Sequence, residues 1–218
     1  AHIFTADLAA VKTAQHGIKN HIREALNQAY QFDAYLLNLM NAPKSNPVPF
    51  TDCLIAVADG VLASFLQPIK DHFGIERPWQ QLPAARAYLP SPTHASFPSG
   101  HASQAFMHAE LLCALASNTQ TQYDDLLKAA ALIANNRVIG GLHFPIDGHA
   151  GEVLGRGIAH WLIAMANHPP LAQSIGQFGF VAGSRFERVY LKDKVAVLGN
   201  VPLWQWLAAK ARAEWVGP

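Results

Sequence analysis

The stretch SPTHASFPSGHAS, residues 91–103, joins a proline-broken loop to the start of a helix. Pro98 sets the chain, Ser99 is placed to cap, and Gly100 lets the backbone come close to a ligand. The amide groups of Gly100 and His101 then point outward from the helix start, where a serine hydroxyl and free N–H donors suit an anion. Ala102, Phe106, Leu111 and Leu115 continue the helix beyond it. Upstream, prolines at 78, 83, 90, 92 and 98 forbid a long helix between residues 77 and 98. A long irregular stretch in a compact protein is usually functional.

Working outward, residues 5–40 have helical periodicity, as two helices meeting around Gly17. Residues 42–49, with three prolines, read as a connector. Residues 51–72 read as an apolar helix capped by Thr51, with Gly74 just past its end. Residues 123–139 form another helix, broken by Gly140 and Gly141, and Asp147 is placed to cap a helix running to Ala166. Residues 178–181 and 195–198 read as short strands or packed loops, and residues 202–215 as a short helix. The expected class is all-α: a helical bundle whose loops and helix ends at one end build the site. Residues 1–218 read as a single domain, with core motifs at 70–166 and a C-terminal extension, 169–218, packed on them.

Half of the 218 residues are apolar and 14% are charged, so the chain is expected to fold around an ordinary core. A net charge of +1 excludes the global field of a nucleic-acid binder. Cys53 and Cys113 lie in apolar helical patterns and are expected to be buried, unpaired thiols. No transmembrane segment is expected, because Asp59 interrupts the run 53–69 and the run 157–166 is short. The chain therefore reads as soluble. It begins at Ala1 without methionine, as an exported protein with its leader removed would; compartment itself is not legible.

Two further segments place cations at helix breaks. KDHFGIERP, residues 70–78, puts Lys70 in a last helical turn and Arg77 in the loop beyond. NNRVIGGLHFPID, residues 135–147, places Arg137 six residues before His143 and Asp147 four residues after it. Asp147 can accept from one nitrogen of His143 and leave the other free as a nucleophile or metal ligand. The order is a lysine separated by six residues from an Arg-Pro pair, then Pro-Ser-Gly-His, then arginine, histidine and aspartate. It resembles the signature of the superfamily joining type 2 phosphatidic acid phosphatases, bacterial class A acid phosphatases and vanadium-dependent haloperoxidases. The resemblance covers residues 70–147, with weaker support to about 166.

By motif position, the resemblance implies one positively lined pocket for phosphate or vanadate. Lys70, Arg77 and Arg137 would bind the equatorial oxygens, and Ser99 with the Gly100 amide would complete the cradle. His143 would be the axial group, and the ligand to vanadium if vanadate is bound; His101 would face the reacting side. Catalysis would fall to His101, His143, Asp147 and Lys70. A phosphatase of this kind needs no cofactor and passes through a phosphohistidine on His143, while a haloperoxidase holds vanadate and lets Lys70 polarise bound peroxide. His94, seven residues before His101, matches a residue of vanadium bromoperoxidases thought to tune halide selectivity. The leading expectation is thus vanadate-dependent oxidation of bromide by hydrogen peroxide, with phosphate-ester hydrolysis as the alternative. Asn136 departs from the phosphatase pattern, which usually has serine there. A phosphate-binding module without turnover would not need two aligned imidazoles. The expected partners are small molecules. His143, Asp147 and His149 are a poor divalent-metal set, since Asp147 is committed to amides or to His143. His108 reads as a packing or surface residue. Trp204, Trp206 and Trp215 read as a helix docked on the core, or on a second subunit of a homo-oligomer.

Overall fold

A computed structural model of the chain describes residues 5–40, 48–82, 85–116, 119–166, 176–179, 187–190 and 202–215. Helix α1 (Thr5–Ala14) passes through a 3-10 turn (Gln15–Gly17) into α2 (Ile18–Leu39), so the chain does divide around Gly17. Then come α3 (Pro49–Phe73), the single turn α4 (Pro78–Gln81), α5 (Gly100–Leu115), α6 (Gln120–Ile139), α7 (Pro145–Ala166) and α8 (Pro202–Ala213). The fold is all-α apart from one antiparallel pair, β1 (Gly176–Gly179) with β2 (Glu187–Tyr190). The ladder meets the expected 178–181 strand at its first two residues; the expected strand at 195–198 lies outside the described residues.

Helix α5 is the axis of the bundle. Apolar residues ring most of it, so it has no solvent side, and Ala102, Ala105, Phe106, Met107, Leu111, Leu112 and Leu115 are all buried. One core lies between α5, α3, α7 and α8, around Leu62, Met107, Leu162 and Trp204. The other lies between α5, α2 and α6, around Leu36, Phe106, Leu126 and Ile133.

The contact between α5 and α7 fixes the site. On α7, Gly151 and Gly155 lie one turn apart against Ser99, Ala102 and Ser103. A methyl group on Gly151 would stand 2.7 Å from the Ser99 carbonyl oxygen, and one on Gly155 would overlap the Ser103 carbonyl. The two helices therefore meet at backbone distance, with their N-termini side by side. The Ser99 amide donates to the Asp147 carbonyl at 3.0 Å across that junction.

Several boundaries differ from expectation for identifiable reasons. Helix α3 starts at Pro49, and Thr51 does not cap it. Glu214, at the far end of α8, does so instead: its carboxylate accepts from the Phe50 amide, the Thr51 amide and the Thr51 hydroxyl, each at 2.8 Å. Trp215 donates its indole N–H to the same hydroxyl at 3.0 Å. Gly74 ends α3 in the left-handed region at φ 57°, as expected. Asp147 sits inside the first turn of α7, not before it, and reaches back to the Phe144 amide at 3.0 Å.

The expected burial of the cysteines is corrected. Cys53 is exposed on α3 and Cys113 is partly buried. The run Pro49–Gln81 is long and apolar enough to cross a membrane by length and composition, with a mean hydropathy of 1.5 in its richest window and 22% of that window buried. Asp59 is a single interruption there, too little to lower the average below that of a spanning helix.

Candidate active site

Six chain segments converge where α5 and α7 begin and α3 and α6 end. Lys70, Arg77, Ser99, Arg137, His143 and Asp147 are all buried there, none more than 4% exposed. Burying three cations is costly unless each finds compensating groups.

Lys70, in the last turn of α3, donates to the carbonyls of Ala95 (2.8 Å), Ser96 (3.0 Å) and Pro98 (2.6 Å). The loop that the prolines keep out of a helix is thereby wrapped on the ammonium group. Burial, with Arg77 adding repulsion, brings the Lys70 pKa down to about 8. Arg77 follows at the start of α4. It donates to the Leu142 carbonyl at 2.8 Å and to the His94 carbonyl at 3.3 Å, and its NH1 lies 3.3 Å from His143 Nε2. Its NH2 lies 3.4 Å from His94 Nδ1, so His94 sits on the outer side of the Arg77 guanidinium as an exposed residue.

His143 is oriented from its other side. Its Nδ1 lies 3.0 Å from Asp147 Oδ2, and a carboxylate there must accept. Nδ1 therefore carries the proton, and the lone pair is on Nε2, facing Arg77. Burial pushes the His143 pKa down to about 4, against the pull of Asp147, with Arg77 and Lys70 adding to the fall. The ring stays neutral at ordinary pH.

Arg137 and His101 complete the site from α6 and α5. Arg137 has no exposed surface and donates from NH2 to the Ala25 carbonyl of α2. Its Nε and NH1 are buried with no hydrogen-bond partner among the described residues. Burial brings its pKa down to about 10, which leaves it charged. His101 Nε2 contacts the Ala29 carbonyl at 3.3 Å, one helical turn along α2. Burial first and the Arg137 charge second bring the His101 pKa down to about 4. Ser99 caps α5 by accepting from the Ala102 amide at 3.4 Å, as expected, and Gly100 follows as the first helical residue.

Residues 52–169, more than half of the chain, match the model of the PAP2 superfamily. The chain belongs to the PAP2 superfamily. No curated protein matches it. The superfamily includes vanadium haloperoxidases and type 2 phosphatidic acid phosphatases, and its members of these kinds are enzymes. The matched span contains every residue singled out from the three motifs.

The PAP2 match stops short of α1, α2 and α8, and those elements hold what sequence reading missed. Ala25, Gln28 and Ala29 of α2 touch the site, Gln28 through Asn136 at 2.8 Å. His108 is no surface residue: it is buried, with Nδ1 2.7 Å from Asp33 of α2 and Nε2 2.9 Å from Asp59 of α3. No motif spacing ties α2 to α5, so only the folded arrangement reveals these contacts. Of the tryptophans, Trp204 is buried and Trp206 is 51% exposed.

Proposed function

We propose that this pocket holds a dianionic tetrahedral oxyanion and that, loaded with vanadate, the protein oxidises bromide with hydrogen peroxide. One observation carries the reading. Among the described residues, three buried cations, Lys70, Arg77 and Arg137, share the site with one buried carboxylate, Asp147, and two imidazoles held neutral. The surplus of two positive charges asks for an anion of charge about −2, and two Arg137 nitrogens have no hydrogen-bond partner among the described residues. Phosphate and vanadate have that charge and shape.

The residues fit vanadate. His143 Nε2 would be a neutral donor to vanadium, Asp147 fixing its tautomer. Arg77 and Arg137, with the Ser99 hydroxyl and the Gly100 amide at the start of α5, would hold the oxygens, and Lys70, whose three N–H groups are on backbone carbonyls, would add its charge. Bound vanadate would supply activation of hydrogen peroxide toward two-electron oxidation of a halide. His101, neutral at ordinary pH, is suited to take the proton that hydrogen peroxide must lose. His94, exposed beside Arg77, stands where an approaching halide would meet it.

Phosphate-ester hydrolysis is the second reading, favoured by the free lone pair on His143 Nε2. That nitrogen would form the bond to phosphorus as the bond to the leaving alcohol breaks, with His101 giving the alkoxide its proton and water later releasing phosphate. His101, with its pKa near 4, could serve as that acid only in acidic solution.

Purified protein would be assayed with orthovanadate, bromide, hydrogen peroxide and a phenolic acceptor, and separately with a chromogenic phosphate ester. Bromination that needs vanadate and disappears in His143→Ala supports the first reading. Ester turnover blocked by vanadate replaces it with the second. Phosphate binding with neither activity removes both.

A further inference from the structure

We infer that α2 closes the reacting side of the oxyanion pocket, with Gln28 and Asp33 as positioning residues that limit how large a group the bound oxyanion can carry. The inference rests on the oxyanion reading above and concerns the same site.

Four groups on α2 meet the site or its supports: the Ala25 carbonyl on Arg137, the Gln28 side chain on Asn136, the Ala29 carbonyl on His101, and the Asp33 carboxylate on His108. Positions 25, 28, 29 and 33 recur at three- and four-residue steps, which puts them on one face of the helix. The same stripe continues to Leu36 and Met40, buried in the core beside α5 and α6. The C-terminal part of α2 is therefore held by apolar packing. Its passage over the site is fixed by those polar contacts together with the packing of Ala25 and Ile22 on Leu89 and Leu142.

These contacts place backbone next to the two groups that would act on the reacting side. The Ala29 carbonyl is 3.3 Å from His101 Nε2, and Ala25 is fully buried beside Arg137. A bare oxyanion can meet Arg137 and His101 from within the pocket. An oxyanion with a bulky substituent toward His101 would have to put that substituent where α2 runs.

Gln28 and Asp33 hold α2 in that place. The Gln28–Asn136 bond is buried, and Asn136 immediately precedes Arg137, so Gln28 sets α2 against the residue next to the anion-binding cation. Asp33 is half-exposed, and its 2.7 Å bond to His108 ties α2 to the helix that carries His101 two turns earlier. Neither residue touches the oxyanion. Both act through the helix they hold.

The test measures binding of inorganic phosphate and of phenylphosphonate, which carries the same anionic head on an aromatic ring, to wild type, Gln28→Ala, Asp33→Asn and Asp33→Glu by calorimetry. Wild type should bind phosphate at least 10-fold more tightly than phenylphosphonate. In Gln28→Ala and Asp33→Asn that ratio should shrink 3-fold or more, because the larger ligand gains room while the cationic cradle is unchanged. Asp33→Glu keeps the carboxylate and should keep a wild-type ratio. Damage to the fold would weaken both ligands together and leave the ratio alone. Asp33→Asn alters a half-exposed side chain, so it is the variant to rely on should Gln28→Ala fold poorly. A wild-type ratio near one, or a ratio untouched in Asp33→Asn, overturns the inference while the oxyanion reading survives. Absence of phosphate binding by wild type overturns both.

Discussion

Arg137 brings burial and charge into direct conflict. Its guanidinium has no exposed surface and, among the described residues, one acceptor and two nitrogens without hydrogen-bond partners. A buried charge kept in this way costs stability and is retained for what it binds. Replacement by an apolar residue of similar length should therefore leave the anion-free protein no less stable. We expect Arg137→Met to melt at or above the wild-type temperature in anion-free buffer, while its dissociation constant for orthovanadate rises about 100-fold. A large loss of stability without anion would mean that the side chain serves the fold. Lys70 gives a second prediction at this scale. With its pKa near 8, its ammonium is present below that pH and lost above it. Affinity for sulfate, whose own charge is constant over this range, should fall as pH rises from about 8, and Lys70→Met should remove that part of the fall.

Among the elements, the α5–α7 contact decides where the site's backbone lies. Gly155 leaves no room for a side chain against the Ser103 carbonyl. Gly155→Ala should cost about 3 kcal/mol, read by denaturant unfolding. It should also weaken anion binding, since forcing the helices apart moves Ser99 away from the start of α7. Unchanged stability would show that the helices slide apart freely. The three motifs could be read before any coordinates because each lies at a helix break marked by proline or glycine, and local chain chemistry specifies such breaks. The same reading placed Ser99 as a cap and Gly74 as a terminator. It failed at Thr51, where the capping group comes from Glu214, and at His108, whose partners come from α2 and α3. Long-range pairing leaves no periodic trace along the chain.

For the whole molecule, the additions outside the matched span act as clamps on the site. The imidazole of His108 joins three helices, α2, α3 and α5, through Asp33 and Asp59. Hydrogen bonds to those carboxylates overcome burial and raise its pKa to about 9. A raised pKa means that its contribution is fully present below the unfolded value near 6.5 and is lost as pH climbs through about 9. Lys70 acts oppositely from about pH 8 upward, since the folded state gives up that proton first. The clean window is therefore pH 6.5 to 8. Over it, wild-type stability should fall by on the order of 1 kcal/mol, and His108→Gln should show no such fall in denaturant titrations at matched pH. An equal decline in the variant would dismiss the imidazolium clamp.

The Glu214 carboxylate that holds the start of α3 has a consequence for synthesis. A chain made from its N-terminus lays down the lysine end of α3 long before residue 214 leaves the ribosome, and loop closure over so many residues is slow. Until then, a long, apolar and mostly exposed helix has its first amides unsealed. The nascent chain should depend on chaperones longest at that helix, and release from them should coincide with emergence of the last turn of α8.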